Sequence, residues 1–317
     1  MIFMKLTFLG TGTSHGVPVI ACDCEVCKST DPHNRRGRCS AYIQLQGKDG
    51  TDKFILIDIG PDFREQALRE NIRQIDAVLL THAHADHLFG LDDLRSFSCI
   101  MSHKPDNPQN EKYNKPPIPI YTNKISAQII RQSFGYLFSE KADGGGHAKI
   151  ELKEISGENL QENSGGFLIG ETTITPIPMM HGQMESTGWL LTENTAEGPR
   201  SIAYLTDCNY ISDQSIELIH KNCHPEKGGR LVHLVIYGLR IKEHSTHFNF
   251  LQALEASAKI QTEKNGPDHI WFTHLTHNSS HTQVEEYLAE HRAEFPGLTA
   301  SLSILPAYDG LVITSGS

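Results

Sequence analysis

Short apolar runs alternate with polar, glycine-rich and proline-rich stretches along the whole chain. Lys5–Leu9 predicts a first strand, closed by Gly10-Thr11-Gly12. Ala41–Leu45 and Lys53–Asp58 predict a hairpin around the turn-rich Gly47–Asp52. Asp62–Asn71 has helical spacing, with Phe63, Ala67 and Leu68 apolar, and Asp76–Leu80 reads as a strand. Residues 102–119 are polar and rich in proline, which predicts a loop. Ile125–Phe134 reads as a helix and Ala142–Gly146 as a glycine-rich turn.

The second half repeats the alternation. Strands are predicted at Ile150–Ile155, Thr172–Ile177, Trp189–Thr192, Ser201–Leu205, Leu231–Ile236, Ile270–Phe272 and Ser301–Leu305. Helices are predicted at Asp213–Lys221, Phe248–Ile260 and Thr282–His291. Strand-rich and mixed blocks follow each other twice. That order suits two packed sheets flanked by helices, built from two similar halves, in one domain over residues 1–317. No compositional break marks a domain boundary.

Composition narrows the class. The chain is 38% hydrophobic and 21% charged, as expected for a folded globular protein. Its formal net charge of −10 leaves no global basic surface for long nucleic acid. The N-terminus lacks a basic stretch followed by a long apolar one, so no export signal is expected, and no run is apolar enough for a membrane span. The cytoplasm is the expected location. Three of the seven cysteines crowd together at Cys22, Cys24 and Cys27, in an irregular loop over about 10–40. Without an export signal this reads as metal ligation rather than a disulfide framework. Cys39, Cys99, Cys208 and Cys223 have no ligand spacing and are expected to pack.

The chemistry concentrates where the strand Asp76–Leu80 ends. Thr81-His82-Ala83-His84-Ala85-Asp86-His87 places three histidines and a carboxylate within six positions. His82 and His84 are two apart, so on an extended chain they project to one side. Asp86 and His87 open a short helical segment and point elsewhere. That geometry suits two adjacent ions, one on His82 and His84, the other on Asp86 and His87. The donor set suits zinc, manganese or iron, and two such ions clamp a displacement at phosphorus or an acyl centre. His181, Asp207 and His274 each follow an apolar run, so each can reach the same sheet edge. Singly, His181 and His274 read more readily as surface or capped histidines, and Asp207 reads equally as a helix N-cap.

The pattern resembles the metallo-β-lactamase superfamily. Its H-x-H-x-D-H signature matches His82, His84, Asp86 and His87, and its later ligands match His181, Asp207 and His274 in chain order. The resemblance runs from Phe8-Leu9-Gly10-Thr11-Gly12 to Ala307-Tyr308-Asp309-Gly310. It implies an αββα sandwich with a dinuclear centre in the cleft between the sheets. By this resemblance His82, His84 and His181 hold one ion, Asp86, His87 and His274 the other, and Asp207 bridges them with a hydroxide between. It also implies that Asp58 braces the metal loop by hydrogen bonds rather than binding metal.

Within the superfamily the chain is similar to the PhnP-type phosphodiesterases, which open cyclic phosphates of ribose phosphates. Gly10-Thr11-Gly12-Thr13-Ser14-His15-Gly16-Val17-Pro18 followed by Cys22-x-Cys24-x-x-Cys27 carries that similarity. It implies a structural zinc on Cys22, Cys24, Cys27 and His277, a closed Cys₃His site that would order the loop. It also implies a catalytic histidine outside the metal shell, matched by His247, before the helix predicted from Phe248. His244 competes, because His244-Ser245-Thr246 is similar to a motif of tRNA 3′-processing endonucleases. Arg64 and Arg95 are either phosphate contacts or structural salt-bridge partners.

The expected activity is hydrolysis of a small phosphodiester by a hydroxide on two zinc or manganese ions, with Asp86 orienting the hydroxide and His247 assisting the leaving group. A tRNA-processing nuclease, a hydrolase of a lactone, thioester or lactam, and a non-catalytic binding protein are the rivals. A homodimer is compatible with the resemblance and rests on nothing else in the sequence.

Overall fold

The computed structural model describes residues 4–47, 50–98, 116–138, 147–155, 165–262, 264–299 and 301–316. Cys99, most of the loop predicted over 102–119 and the turn at Ala142–Gly146 lie outside these residues.

The first sheet holds β1 (Met4–Gly10), β2 (Ser40–Leu45), β3 (Lys53–Ile57), β4 (Ala77–Leu79), β5 (Ile118–Thr122) and β6 (Ile150–Glu154). The second holds β7 (Phe167–Ile169), β8 (Thr172–His181), β9 (Met184–Thr195), β10 (Gly198–Leu205), β11 (Arg230–Tyr237), β12 (His269–Thr273) and β13 (Ser303–Pro306). The last strand, β14 (Val312–Thr314), returns to the first sheet beside β1. The orders are β14-β1-β2-β3-β4-β5-β6 and β13-β12-β11-β10-β9-β8-β7. Read from β14 and from β7, both sheets have three antiparallel pairings and then three parallel ones. The two similar halves expected from the alternation are therefore present, with β14 and β7 in equivalent edge positions.

Strand alternation builds four layers. Ile55 and Ile57 of β3 face inward and join Phe8, Ile43, Trp189, Leu191, Tyr204 and Val235 in a core between the sheets. Leu56, between them in sequence, faces outward with Val78 and Ile120, against Phe63, Leu88 and Ile130. On the far side Leu205, Leu234, Ile236 and Phe272 pack against Ile216, Ile219, Leu254 and Leu288 of the outer helices. This is the αββα sandwich that the resemblance implied. Among the described residues no helix is long and apolar enough to cross a membrane.

Three expectations need correction. Proline at 119 led the loop reading across Ile118–Pro119, yet both belong to β5. β4 meets β5 only at Ile120 and Tyr121, so the missing N–H of Pro119 breaks no bond to β4. The strand predicted to end at Ile177 runs on, because β8 continues through Pro178 to His181. β7 covers only Thr172–Ile174 of β8, so Pro176 and Pro178 lie where one flank of the strand is open. Finally, the helix predicted from Phe248 starts at Phe250, because Asn249 and Gln252 form a reciprocal cap. His247 is thus not at a helix N-terminus.

Candidate active site

β4 ends at Leu79, and the chain crosses the edge of the sheet through Leu80, Thr81 and His82. Thr81 O accepts from Thr187 N of β9 at 2.9 Å, which ties this segment to the second sheet. His84 caps a one-turn helix, Ala85–Leu88, that carries Asp86 and His87 to a different side. The remaining residues arrive from the ends of strands in the other sheet: His181 ends β8, Asp207 follows β10 and His274 follows β12. Asp58, Asp207 and His274 adopt left-handed backbone angles, with φ of 57°, 52° and 62°. Such angles cost roughly 1–3 kcal/mol each and persist only where the surroundings hold them.

Seven side chains converge. The ligand atoms of His82, His84, His181 and Asp207 lie within 4.8 Å of one another, as do those of Asp86, His87, Asp207 and His274. Asp207 belongs to both groups. Its Oδ2 lies 3.3 Å from His82 Nε2 and 3.0 Å from His87 Nε2, and its Oδ1 lies 3.1 Å from His274 Nε2. His82 Nε2 and His84 Nδ1 meet at 3.0 Å.

The outer nitrogens are occupied in a way that turns lone pairs inward. His87 Nδ1 donates to Asp58 Oδ2 at 2.7 Å, and His181 Nδ1 donates to Thr246 O at 2.8 Å. Thr81 Oγ1 donates to Asp58 Oδ2 at 2.9 Å, so it accepts from His82 Nδ1 at 3.0 Å. In the neutral form of each ring, the lone pair would then lie on Nε2, the nitrogen facing the cluster. Among the described residues, buried His87 Nε2, His274 Nε2 and Asp207 Oδ1 have no hydrogen-bond partner. Unsatisfied buried groups are costly, and convergent ones of this chemistry fit divalent cations. The Asp58 carboxylate accepts from the Thr81 amide and hydroxyl and from His87 Nδ1.

The buried carboxylates and imidazoles of the cluster perturb one another strongly. Burial lowers the pKa of His82 well below the imidazole range. Burial opposes charge on His87 too, but Asp58, Asp86 and Asp207 together raise it well above that range. Burial raises the Asp86 and Asp207 carboxyls, yet the histidines beside them hold both well below the usual carboxylate range.

The cluster floors a cavity of about 640 Å³. Its walls include Ser14, Ile125, Gln183, Met184, Thr246 and His247. His247 lines this cavity and His244 does not, although the rings stand 4.6 Å apart. Burial lowers His247 to about 4. Arg64 and Arg95 lie away from it, paired with Glu65 and Asp92.

A second cluster lies at the loop. Cys22, Cys24 and Cys27 Sγ stand 3.3, 3.4 and 3.5 Å from His277 Nδ1. A bond from the Cys27 amide is the largest influence lowering Cys24 to about 6, while burial raises Cys27 to about 11. Cys39, Cys208 and Cys223 are buried, as expected. Two anchors of the loop were not anticipated. Arg36, 1% exposed, donates to Thr276 O at 2.6 Å and to Ser279 O at 3.3 Å. Asp309 accepts from Thr11 and Gly37 backbone amides at 2.9 and 2.7 Å. Neither residue carries a spacing signal, since both act across hundreds of positions of sequence.

Comparison with known proteins gives a consistent family. A family model described as a beta-lactamase superfamily domain matches residues 53–274. An octanoyltransferase of Porphyromonas gingivalis is 34% identical over 94% of this chain; the chain spans about half (51%) of that protein's length. A crystal structure of a new diphosphatase from the PhnP family superposes with a TM-score of 0.73 at 34% identity, covering 99% of this chain and 98% of that one. Zinc-bound PqqB of Methylobacterium extorquens shares the fold, with a TM-score of 0.64 at 15% identity over 98% of this chain and 99% of its own. The chain belongs to the metallo-β-lactamase superfamily, whose members are generally metal-dependent hydrolases.

Proposed function

We propose that this chain hydrolyses a small phosphodiester, using two divalent ions. His82, His84 and His181 would hold one, Asp86, His87 and His274 the other, with Asp207 shared. The observation that carries this reading is the position of Asp207 Oδ2, between His82 Nε2 of one group and His87 Nε2 of the other. When bound, zinc or manganese supplies Lewis acidity toward a phosphoryl oxygen and a nucleophile derived from water near neutral pH. The protein's own part is to position and to move protons. Asp86, held ionised between His87 and His274, accepts a hydrogen bond from the attacking water and orients it. His247 faces the cavity from outside the ligand set and donates to the departing oxygen. Ile125 and Met184 present an apolar wall to the part of the substrate that does not react.

The cavity volume and the net charge of −10 support a small substrate over a long nucleic acid. We also infer a structural zinc on Cys22, Cys24, Cys27 and His277, and the free thiols suit a reducing compartment such as the cytoplasm. A second reading, cleavage of a diphosphate linkage, is favoured by the 34% identical diphosphatase structure.

A substrate series separates the readings. Metal-loaded protein is assayed with a nucleoside 2′,3′-cyclic phosphate, bis-p-nitrophenyl phosphate, a nucleoside diphosphate and a lactone. Turnover of the first two, well above the others, is expected. Preference for the nucleoside diphosphate supports the second reading, and activity confined to the lactone overturns both.

A further inference from the structure

One residue outside the metal cluster holds two of the site's imidazoles. The Thr246 carbonyl accepts from His181 Nδ1 at 2.8 Å. Its hydroxyl lies 2.8 Å from His247 Nδ1. Its amide donates to His244 Nδ1 at 3.3 Å, and the hydroxyl lies 3.2 Å from that same nitrogen.

Proton accounting gives these contacts a direction. A neutral imidazole has one N–H and one lone pair. His244 Nδ1 accepts the Thr246 amide, so its single lone pair is taken. The hydroxyl has one proton, and the nearer, unshared acceptor is His247 Nδ1. With the hydroxyl proton on that nitrogen, the proton of His247 sits on Nε2. A carbonyl only accepts, so His181 carries its proton on Nδ1 and its lone pair on Nε2.

The surroundings are shaped for this arrangement. Gly182 has φ +64°, and a Cβ there would come within 2.8 Å of Thr246 Cγ2. Gly182 N donates to Asn209 Oδ1 at 2.7 Å, while Asn209 Nδ2 donates to Ser245 O at 3.3 Å. The turn after His181 and the segment bearing Thr246 are thus clamped to one asparagine.

We propose that Thr246 is a positioning residue that sets two tautomers at once. Its carbonyl turns the His181 lone pair toward the cluster that would hold a metal, and its hydroxyl makes His247 Nε2–H the donor offered to substrate. The identity of the acceptor rests on the phosphodiester reading; the hydrogen-bond geometry does not.

Thr246→Val removes the hydroxyl and keeps the shape and the carbonyl, whereas Thr246→Ser keeps the hydroxyl. Nitrogen-15 NMR of the imidazoles in zinc-loaded protein is the first readout, with metal content and steady-state kinetics beside it. The unaltered protein should show His247 protonated on Nε2 alone, and Thr246→Val should show a mixture with metal content unchanged. On a cyclic phosphate, kcat should fall roughly 10-fold or more with KM little changed. Thr246→Ser should behave as the unaltered protein, and Thr246→Val should cost nothing further in a His247→Ala background. A Nδ1-protonated His247 in the unaltered protein overturns the proposal even if no variant folds. Equal losses in the Val and Ser variants, or additivity with His247→Ala, also overturn it. Absence of phosphodiester turnover by the unaltered protein refutes the substrate reading and leaves the nitrogen spectrum to judge Thr246.

Discussion

His87 Nδ1 donates to Asp58 Oδ2 across 2.7 Å, and both side chains are fully buried. Asp58 also accepts from the Thr81 amide and hydroxyl, so one carboxylate braces the strand end, the histidine and the following loop. Burial raises its pKa, and His87 and Thr81 act against that rise.

Asp58→Asn places an amide where His87 needs an acceptor. The variant should bind the ion assigned to Asp86, His87 and His274 about 10–100-fold more weakly, as expected on loss of an outer partner of a metal-binding histidine. Chelator competition measures this. Unchanged affinity would show that Asp58 does not orient His87.

Cys24→Ser removes one thiolate from the loop cluster. Zinc content should fall by one per chain while the ions of the main cluster stay, because their ligands lie on other segments. Residues 10–40 should lose protection from hydrogen exchange, although Arg36 and Asp309 still hold parts of the loop. Unaltered zinc content and exchange would exclude a metal role for the cysteines.

His233 makes acid stability testable away from the metals. Its Nε2 donates to Thr314 O at 2.9 Å, and its Nδ1 accepts from Trp271 Nε1 at 3.1 Å, so it is neutral and links β11 to β14. Burial, with His269 adding to it, lowers it to about 4, against the small opposing pull of Thr314 and Asp268. The unfolded chain, with a pKa near ~6.5, binds the proton first as pH falls. Stability is therefore lost between about pH 6.5 and 4, by at most ~3 kcal/mol from this residue. His233→Gln should flatten the fall of Tm in that window. An unchanged slope would show that His233 titrates normally.

Much of this was legible in the sequence because it is local or periodic. His82, His84, Asp86 and His87 lie within one strand-to-helix turn, and β3 shows its inner and outer faces by alternation. His181, Asp207 and His274 were readable as strand ends, though not the left-handed backbone of the last two, which depends on packing across the cleft. Helix onset at Phe250 was misread because Phe248 looks helical, whereas the capping pair Asn249 and Gln252 decides it. Proline misled at Pro119, since its cost depends on which neighbour strand reaches that far. The roles of Thr246, Arg36 and Asp309 were invisible: the Thr246 carbonyl, Arg36 and Asp309 act on partners distant in sequence, and the contact of the Thr246 hydroxyl with its neighbour His247 has no spacing signal.

The proposed activity requires two ions held around Asp207 that together cleave a phosphodiester. The most direct measurement is bis-p-nitrophenyl phosphate turnover by metal-stripped protein as zinc or manganese is titrated back, with Asp207→Ala alongside. Activity should rise to a plateau at two ions per chain beyond any in the cysteine site, and Asp207→Ala should abolish both the second binding event and turnover. Full activity at one ion or none, or an active Asp207→Ala protein, would exclude a catalytic pair of ions sharing Asp207.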